Sequence, residues 1–325
     1  MKILFIACLS PKTGNNTTAE RIRDYIESVG HTCELRDAAQ FQSSAEVAQL
    51  LSQDPLFDGA LAIHLFKAGR LLLVPFGVIF GGTDINEDVK VEQKRLIMEQ
   101  VLQKARFAVA FTEKMRETSG LFLVGLFIGA FFTLSALYFF CSHCNVSTAH
   151  VDELRVFLLV CGLRRVKDPL YLVRVFSEWH CQDPLNVLII IGPKVRPGFC
   201  LCHRTAGVYM AQERSQRELH AAMKKCFAVV NSSISEGMSA AILEAMHLGV
   251  PVVVRDIPGN TAIVEHEITG LLYSSPQDFV DQSQRLLSDP ELRERLVRNG
   301  KVYVEEHHSM KQERETYQRL VATLH

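Results

Sequence analysis

Short apolar runs alternate with helical patterns through the first hundred residues, and the same alternation returns after residue 154. Strands that are separated by helices imply a parallel sheet with helices on both faces. The sequence therefore predicts an α/β protein with two Rossmann-like, doubly wound domains that face each other across a cleft. Ligands of such sheets bind beyond the carboxyl ends of the strands.

The predicted strands are Ile3–Ala7, His31–Leu35, Leu61–His64, Phe76–Phe80, Phe107–Phe111, Leu154–Val160, Val187–Ile191, Phe227–Val230, Val250–Val254 and Leu271–Tyr273. The predicted helices include Thr17–Val29, Ser44–Leu51, Val91–Lys104, Pro169–His180 and Arg217–Lys225, and the chain from Pro276 onward is helical and charged. We place one domain at residues 1–118, an atypical apolar segment at 119–150, and a second domain at 151–325. A chain of 325 residues fits two domains of ordinary size.

The segment Gly120–Phe140 contains 21 residues without a charge, which is long enough for a transmembrane helix. Lys114 and Arg116 precede it and no Lys or Arg follows before Arg155, so the flanking charges do not orient a span. A true span would place the two domains on opposite sides of a membrane, where they cannot share a cleft. The alternatives are a segment that is re-entrant or buried in protein.

The composition excludes some partners and compartments. The net charge is −1 and no long basic run occurs, so nucleic acid is not an expected partner. Several of the nine cysteines lie in or beside apolar runs, as expected for reduced thiols in the cytoplasm. The N-terminal apolar run Ile3–Leu9 is at the lower limit for a signal peptide, and a buried strand fits it better than secretion. Membrane association is expected only if 120–140 inserts.

Two Cys/His clusters, Cys141–Cys144 and Cys200–His203, offer candidate zinc ligands. Neither is followed by the regular spacing of a zinc finger. We therefore expect loop cysteines and no bound metal.

The segment Ser235–Pro251 carries two carboxylates, Glu236 and Glu244, with seven residues between them. Glu236 lies beside a glycine where a helix is predicted to begin, and Glu244 lies two turns inside that helix. Free N–H groups and the positive dipole end at Met238–Ala241 suit a diphosphate. One segment can therefore contact sugar, diphosphate and ribose; the alternative is two solvated glutamates without a ligand.

Longer motifs surround this pair. Ser-x-x-Ser-Glu-Gly, Glu-Ala-Met-x-x-Gly-Val-Pro-Val-Val and Pro-Gly-Asn-x-x-x-Val-x-x-x-x-x-Thr-Gly-Leu-Leu occur in order between Asn231 and Leu272. In these motifs the chain resembles the retaining glycosyltransferases of family 4, which have the GT-B fold. The resemblance covers residues 1–118 and the chain from about residue 154 to the end. The family's hinge region is replaced by the apolar segment, so the N-terminal domain is expected to lack its last elements and to expose a sheet edge.

The resemblance implies donor-side roles for the second domain. Glu236 would contact the donor sugar near the reacting carbon, Glu244 the ribose hydroxyls, and Lys167 the leaving diphosphate, where charge builds up. Backbone groups that would hold the diphosphate belong to Gly237, Met238, Ser239 and Ala240.

One departure concerns the cations of this site. The family carries an arginine just after the glycine of the Lys167 loop, and that slot holds Gly162 here. Arg164 and Arg165 are the candidates to reach the phosphates instead.

In the N-terminal domain, Gly14 resembles the family's glycine that lets the backbone approach the donor or acceptor. Asn15 adjoins it on the acceptor side. His64 matches the active-site histidine, which contacts the sugar near its reacting face. Asp84 follows a loop in which Phe80 replaces the family's histidine, and it either orients acceptor hydroxyls or caps the next helix.

The resulting hypothesis is a retaining glycosyltransferase. It would move a hexose from a UDP- or GDP-sugar to the hydroxyl of an unidentified acceptor, without a metal or other cofactor. The alternative is a catalytically degenerate or membrane-tethered GT-B relative that binds nucleotide without turnover, as the glycine at position 162 and the foreign central segment suggest.

Overall fold

A computed structural model of the protein describes residues 1–10, 13–52, 56–111, 153–162, 165–192 and 205–324. These residues form two units: the first comprises residues 1–111 and 308–324, and the second comprises residues 153–307. The predicted apolar segment 119–150, both Cys/His clusters and Arg164 lie outside the described residues. The predicted loss of N-terminal elements concerns the chain after Phe111, which also lies outside them.

The first unit is built on a parallel sheet with the strand order β2-β1-β3-β4-β5. Its strands are β1 (Lys2–Ala7), β2 (Thr32–Asp37), β3 (Gly59–Ile63), β4 (Phe76–Ile79) and β5 (Phe107–Val109). Each strand lies where an apolar run predicts one. Between them lie α1 (Gly14–Glu27), α2 (Ser44–Leu51), α3 (Gly82–Asn86) and α4 (Glu92–Lys104).

Both faces of this sheet are buried, because successive side chains of β1 point to opposite sides. Leu4 and Ile6 pack in a cluster with residues of α2 and α4. Ile3 and Phe5 join the opposite cluster, which includes residues of α1 and of the C-terminal helix.

The second unit has a sheet with the order β11-β10-β9-β6-β7-β8, and all neighbouring strands are parallel. Its strands are β6 (Arg155–Val160), β7 (Asn186–Ile191), β8 (Val208–Ala211), β9 (Ala228–Asn231), β10 (Val252–Arg255) and β11 (Leu271–Tyr273). Its helices are α5 (Val173–Gln182), α6 (Gln216–Lys225), α7 (Ala240–His247), α8 (Pro258–Thr261), α9 (Pro276–Ser288) and α10 (Pro290–His307).

An aromatic cluster fixes one face of the second sheet. The ring of Phe157 on β6 lies 5.3 to 6.0 Å from the rings of Phe176, Trp179 and Phe279, which belong to α5 and α9. Edge-to-face pairs of this kind contribute about 0.5–1.5 kcal/mol each beyond the area they bury. On the other face, Leu158 packs with residues of α6 and α7.

Two predicted helices begin later than expected. The helix after Glu236 begins at Ala240 rather than beside Gly237, because Ser239 has the extended backbone of an N-cap residue. The helix predicted from Pro169 begins at Val173. Asp168 has a left-handed φ of 42°, which turns the chain before the helix can start.

The last helix, α11 (Met310–Ala322), corrects the predicted bounds of the second domain, which extended to residue 325. This helix belongs to the first unit. Tyr317, Val321 and Leu324 are buried in the cluster of α1 and β1. The sequence shows that the helix is amphipathic, but not which sheet covers its apolar side.

Among the described residues, no helix is both long and apolar enough to cross a bilayer. The predicted span at 120–140 lies outside the described residues and stays a prediction.

A buried acid lies where α11 packs on α1. The side chain of Glu313 is wholly inaccessible, and Arg21 Nε lies 3.4 Å from its Oε2 without the alignment of a hydrogen bond. Burial raises the pKa of Glu313 from its ordinary value of 4.5 to about 7, and the Arg21 charge offsets this only in part. Between these two pKa values, the folded protein keeps a proton on Glu313 that the unfolded chain releases. The uptake of this proton stabilises the folded state fully below pH 4.5, and the stabilisation is lost as the pH rises through about 7.

We predict that the free energy of opening of α11 falls by roughly 1–3 kcal/mol between pH 5 and pH 8, at 1.4 kcal/mol per unit of pKa. Glu313→Gln removes this dependence because the amide carries no charge at either pH. Hydrogen exchange of peptides that cover 310–322, corrected for intrinsic rates, measures the opening. The control is Glu315→Gln, whose carboxylate on the same helix is 56% exposed. An opening free energy in the wild-type protein that does not change with pH contradicts the assignment.

Candidate functional site

The direction of chain progression reverses in the second sheet between β6 and β9. From β6 the chain continues through β7 and β8 on one side, and from β9 through β10 and β11 on the other. Such a crossover opens a crevice at the carboxyl ends of its two central strands. Lys167 follows β6 and Glu236 follows β9, so the topology brings two predicted catalytic residues together although 69 positions separate them.

Lys167 and Glu236 form an ion pair at this crossover. Lys167 Nζ lies 2.5 Å from Glu236 Oε1. The same oxygen accepts hydrogen bonds from Ser233 Oγ at 2.7 Å and Asn231 Nδ2 at 3.2 Å. The side chains of Lys167 and Glu236 are 18% and 7% exposed. Three donors therefore hold the carboxylate in one orientation.

A second layer of polar groups holds Asn231. Its Oδ1 accepts hydrogen bonds from Asn260 Nδ2 at 3.0 Å and from the N–H of Ser233 at 3.1 Å. Its carbonyl accepts one from the Tyr273 hydroxyl at 2.8 Å. Burial raises the pKa of Tyr273 well above its ordinary value, which keeps this hydroxyl a donor. The amide of Asn231 is thus fixed with its NH₂ group toward Glu236.

The absence of a side chain at Gly259 allows the Pro-Gly-Asn motif to pack against the backbone of Glu236. A Cβ atom at this position would lie 2.1 Å from the carbonyl oxygen of Glu236. The backbone of α8 can therefore approach Glu236 only at a residue without a side chain.

The N-terminus of α7 has no side-chain cap. Ser239 is the N-cap residue in an extended conformation, and its hydroxyl makes no hydrogen bond to the first turn. The first N–H groups of a helix lack intrahelical acceptors and carry its positive dipole end, so they favour an anion. The predicted donor-binding residues, Gly237, Met238, Ser239 and Ala240, form this end of the helix and the loop before it.

Glu244 lies on the second turn of α7, beside a buried histidine of α6 that the sequence analysis missed. Its Oε2 lies 3.2 Å from Nε2 of His220, and the two side chains are 22% and 2% exposed. Nε2 of the Gln216 amide, one turn earlier on α6, lies 2.8 Å from the same ring nitrogen. A single ring nitrogen cannot accept from this amide and donate to Glu244 at once, so the imidazole donates to Glu244 only when the amide is rotated to present its oxygen to the ring. No motif reveals the contact, because Glu244 lies 24 positions after His220.

Of the two arginines predicted to reach the phosphates, only Arg165 lies among the described residues. It begins the 3-10 turn Arg165–Lys167 and is exposed.

In the first unit, the corresponding crossover lies between β1 and β3. Gly14 and Asn15 begin α1 after β1, and His64 follows β3. Asn15 Nδ2 lies 2.8 Å from His64 Nε2, and Thr83 Oγ1 lies 3.5 Å from His64 Nδ1. The fold therefore brings three of the predicted N-terminal residues to one edge of the sheet.

The backbone at His64 is unusual for a residue with a side chain, since its φ is 77°. Such conformations cost free energy and occur often at functional sites. The imidazole fills the space beside Gly81, where a Cβ atom would lie 1.9 Å from Cε1 of the ring. The sequence analysis missed this requirement for glycine.

Asp84 is wholly buried, and its contacts agree with the capping role. Its Oδ2 accepts hydrogen bonds from the N–H groups of Gly81 at 2.9 Å and Leu65 at 3.1 Å, and lies 3.3 Å from His64 Nδ1. The carboxylate is wholly buried, and its Oδ1 has no hydrogen-bond partner among the described residues. The other role, a contact with the acceptor hydroxyls, stays a prediction.

Gly14 has open space beside it, since a Cβ atom there would meet nothing within 4 Å. Packing against the described residues therefore does not require a glycine here. Among the described residues, no group of three or more His, Cys, Asp or Glu side chains is placed to hold a metal ion.

The sequence model of the family "Glycosyl transferases group 1" matches residues 146–303. The chain is 50% identical to glycosyltransferase 1 domain-containing protein 1 of Xenopus tropicalis over 343 aligned residues, which cover 100% of this chain and 98% of that protein. It is also 32% identical over 80 residues to the putative glycosyltransferase YtcC of Bacillus subtilis, which covers 24% of this chain and 20% of that protein.

Solved structures show the same fold. Sucrose-phosphate synthase from Thermosynechococcus elongatus matches with a TM-score of 0.78 and 14% identity, over 99% of this chain and 98% of that one. Anabaena Alr3699/HepE, solved in complex with UDP-glucose, matches with a TM-score of 0.77 and 14% identity, and the match covers 99% of this chain and 100% of the HepE chain. The predicted fold class, α/β with two Rossmann-like units as in GT-B proteins, is confirmed. The full-length likeness to the Xenopus protein shows that the chain belongs to the group 1 glycosyltransferases.

Proposed function

We propose that the second unit binds a UDP- or GDP-sugar along the carboxyl edge of its sheet. The protein would transfer the hexose to an acceptor hydroxyl with retention of configuration. The observation that carries this proposal is the Lys167–Glu236 pair at the sheet crossover, within one unit that also holds the uncapped end of α7. HepE is solved in complexes with UDP-glucose and UDP, which makes UDP-glucose the first donor to test.

The diphosphate needs positive groups that do not have to reorganise as the glycosidic bond breaks. Lys167 supplies a full charge, and the first N–H groups of α7 supply a partial charge at fixed positions. In the proposed complex Lys167 turns from Glu236 toward the leaving phosphate. Arg165, exposed at the start of the same turn, is the second cation within the described residues of this loop.

Glu236 would remain oriented when Lys167 turns away. Asn231 and Ser233 still donate to its Oε1. A fixed carboxylate beside the reacting carbon stabilises the positive charge that develops on the sugar in the transition state. Together, Lys167 and Glu236 would act on the two opposite charges of that state.

Glu244 is the proposed ribose contact, with His220 behind it. A carboxylate that is held by a buried imidazole is suited to accept hydrogen bonds from a pair of vicinal hydroxyls. In the first unit, Asn15 and His64 are the proposed contacts to the sugar and acceptor, and open space at Gly14 allows a close approach of its backbone.

A second candidate function is nucleotide binding without turnover. It is favoured by the glycine at position 162, where the family pattern that the chain resembles has an arginine. Membrane tethering through 120–140 belongs to the same alternative. Binding of UDP-glucose with no release of UDP, in the presence of varied sugar and lipid acceptors, supports this alternative.

We predict that Glu244→Ala weakens UDP-glucose binding about 10- to 100-fold, since a hydrogen bond to a charged group contributes about 1.5–3 kcal/mol. Titration calorimetry measures the dissociation constant. The matched control is Glu178→Ala on the exposed side of α5, where the carboxylate is 61% exposed. Equal affinities of both variants for UDP-glucose would remove Glu244 from the donor site.

We also predict that Lys167→Gln lowers kcat about 10²–10³-fold. In other enzymes, loss of one group that stabilises charge in the transition state has an effect of this size. The dissociation constant of UDP-glucose changes less, because the α7 amides and Glu244 remain. Release of UDP with and without acceptor gives kcat, and proton NMR of the product gives its anomeric configuration. Lys225→Gln, exposed at the end of α6, is the control. A kcat within threefold of wild type, or an inverted product, refutes the proposed mechanism.

A further inference from the structure

We infer that Arg255, at the carboxyl end of β10, is a positioning residue that fixes the Lys167 loop relative to the Glu236 loop. The inference rests on the proposed function, since it assigns Arg255 a part in the same reaction. The sequence motifs assign no role to Arg255. Its side chain is 21% exposed.

One guanidinium nitrogen of Arg255 joins the two loops. Nη1 donates to Asp168 Oδ2 at 3.1 Å and to the carbonyl oxygen of Ser232 at 3.2 Å. Asp168 follows Lys167 directly in the chain. Ser232 lies between Asn231 and Ser233, the two residues whose side chains orient Glu236. A single side chain therefore contacts the neighbours of both members of the catalytic pair.

The guanidinium is itself held in place. Its carbon lies 3.8 Å from the centre of the Tyr171 ring, at the distance of a cation–π contact. The carbonyl oxygen of Arg255 accepts a hydrogen bond from Asn260 Nδ2 at 2.8 Å, and the same amide also donates to Asn231. Arg255 is thus linked to Glu236 through its backbone as well as through Ser232.

The turn that follows Lys167 needs such a restraint. Asp168 has a left-handed φ of 42°, which costs free energy in a residue with a side chain and persists only where neighbours enforce it. Ser232 Oγ lies 3.1 Å from the carbonyl oxygen of Lys167 and 3.0 Å from that of Asp168. Arg255 binds the carboxylate of the same aspartate. The two contacts oppose the relaxation of this turn.

Loss of the guanidinium would release the turn and shift Lys167 from its position against the leaving phosphate. A misplacement of about 1 Å can lower a rate about 100-fold. In the proposed complex the UDP moiety is held mainly by α7 and Glu244, whereas the guanidinium of Arg255 contacts Asp168, Ser232 and Tyr171. Arg255 should therefore affect kcat far more than KM.

The test compares Arg255→Ala and Arg255→Lys with the control Arg285→Ala, an exposed arginine paired with Glu267 in the same unit. We expect Arg255→Ala to lower kcat for UDP-glucose about 10- to 100-fold with KM within about threefold. Arg255→Lys retains a cation without the planar group that stacks on Tyr171, and should recover part of the rate. Methylguanidinium at millimolar concentration should raise the rate of Arg255→Ala and not that of Arg285→Ala.

A second measurement does not need activity. Hydrogen exchange of peptides that cover 165–172 and 231–236 should be at least about tenfold faster in Arg255→Ala than in wild type, and methylguanidinium should slow it. Unchanged exchange overturns the inference whatever the activity. A wild-type protein that neither binds nor turns over any UDP- or GDP-sugar refutes the proposed function instead, and faster exchange in the variant would still show the restraint. Faster exchange with an unchanged kcat in an active protein also overturns the inference.

Discussion

The rest of the site depends on one ion pair, between Lys167 and Glu236, which lies at the crossover of the second sheet. Lys167 Nζ and Glu236 Oε1 lie 2.5 Å apart, and both side chains are largely shielded from water. Charges in such a position are stable only when each has partners, because desolvation penalises an unpaired ion. The free protein satisfies them with each other and with Asn231 and Ser233. A ligand with a diphosphate at one end and a sugar at the other can replace this ion pair. Its diphosphate would be the partner of Lys167, and its sugar would be the partner of Glu236.

The crossover explains why such distant residues converge. In the second unit, β6 and β9 are neighbours in the sheet although two strands intervene in the sequence. In the first unit, β1 and β3 are related in the same way, and Asn15 and His64 meet there. Each unit thus places its polar side chains at its own crossover by topology alone. Glycine is then required at Gly81 by the imidazole of His64 and at Gly259 by the backbone of Glu236.

The sequence predicted the part of this arrangement that is local or carried by a motif. Apolar runs located ten of the eleven strands in the described part of the chain, and the motifs predicted roles for Lys167, Glu236 and Glu244. The strand that the sequence analysis did not predict, Val208–Ala211, has four residues and follows Gly207, which has a φ of 72°. The start of α7 was placed too early, because the periodicity of a helix does not reveal that Gly237 and Ser239 stay outside it.

Long-range partners could not be predicted in the same way. His220, Asn260 and Arg255 act through contacts with residues 24, 29 and 87 positions away, and each residue type alone has many ordinary roles. The C-terminal helix was assigned to the wrong unit for a similar reason, because only the packing of Tyr317 and Leu324 identifies its sheet.

The most direct test of the central claim is a crystal structure of the protein with bound UDP. The account predicts the diphosphate at the first N–H groups of α7, with Lys167 Nζ within about 3 Å of a phosphate oxygen and the ribose hydroxyls on Glu244. It also predicts that Glu236 keeps its contacts with Asn231 and Ser233 after Lys167 has turned away. A nucleotide bound elsewhere, with the contact between Lys167 and Glu236 intact, would contradict the account.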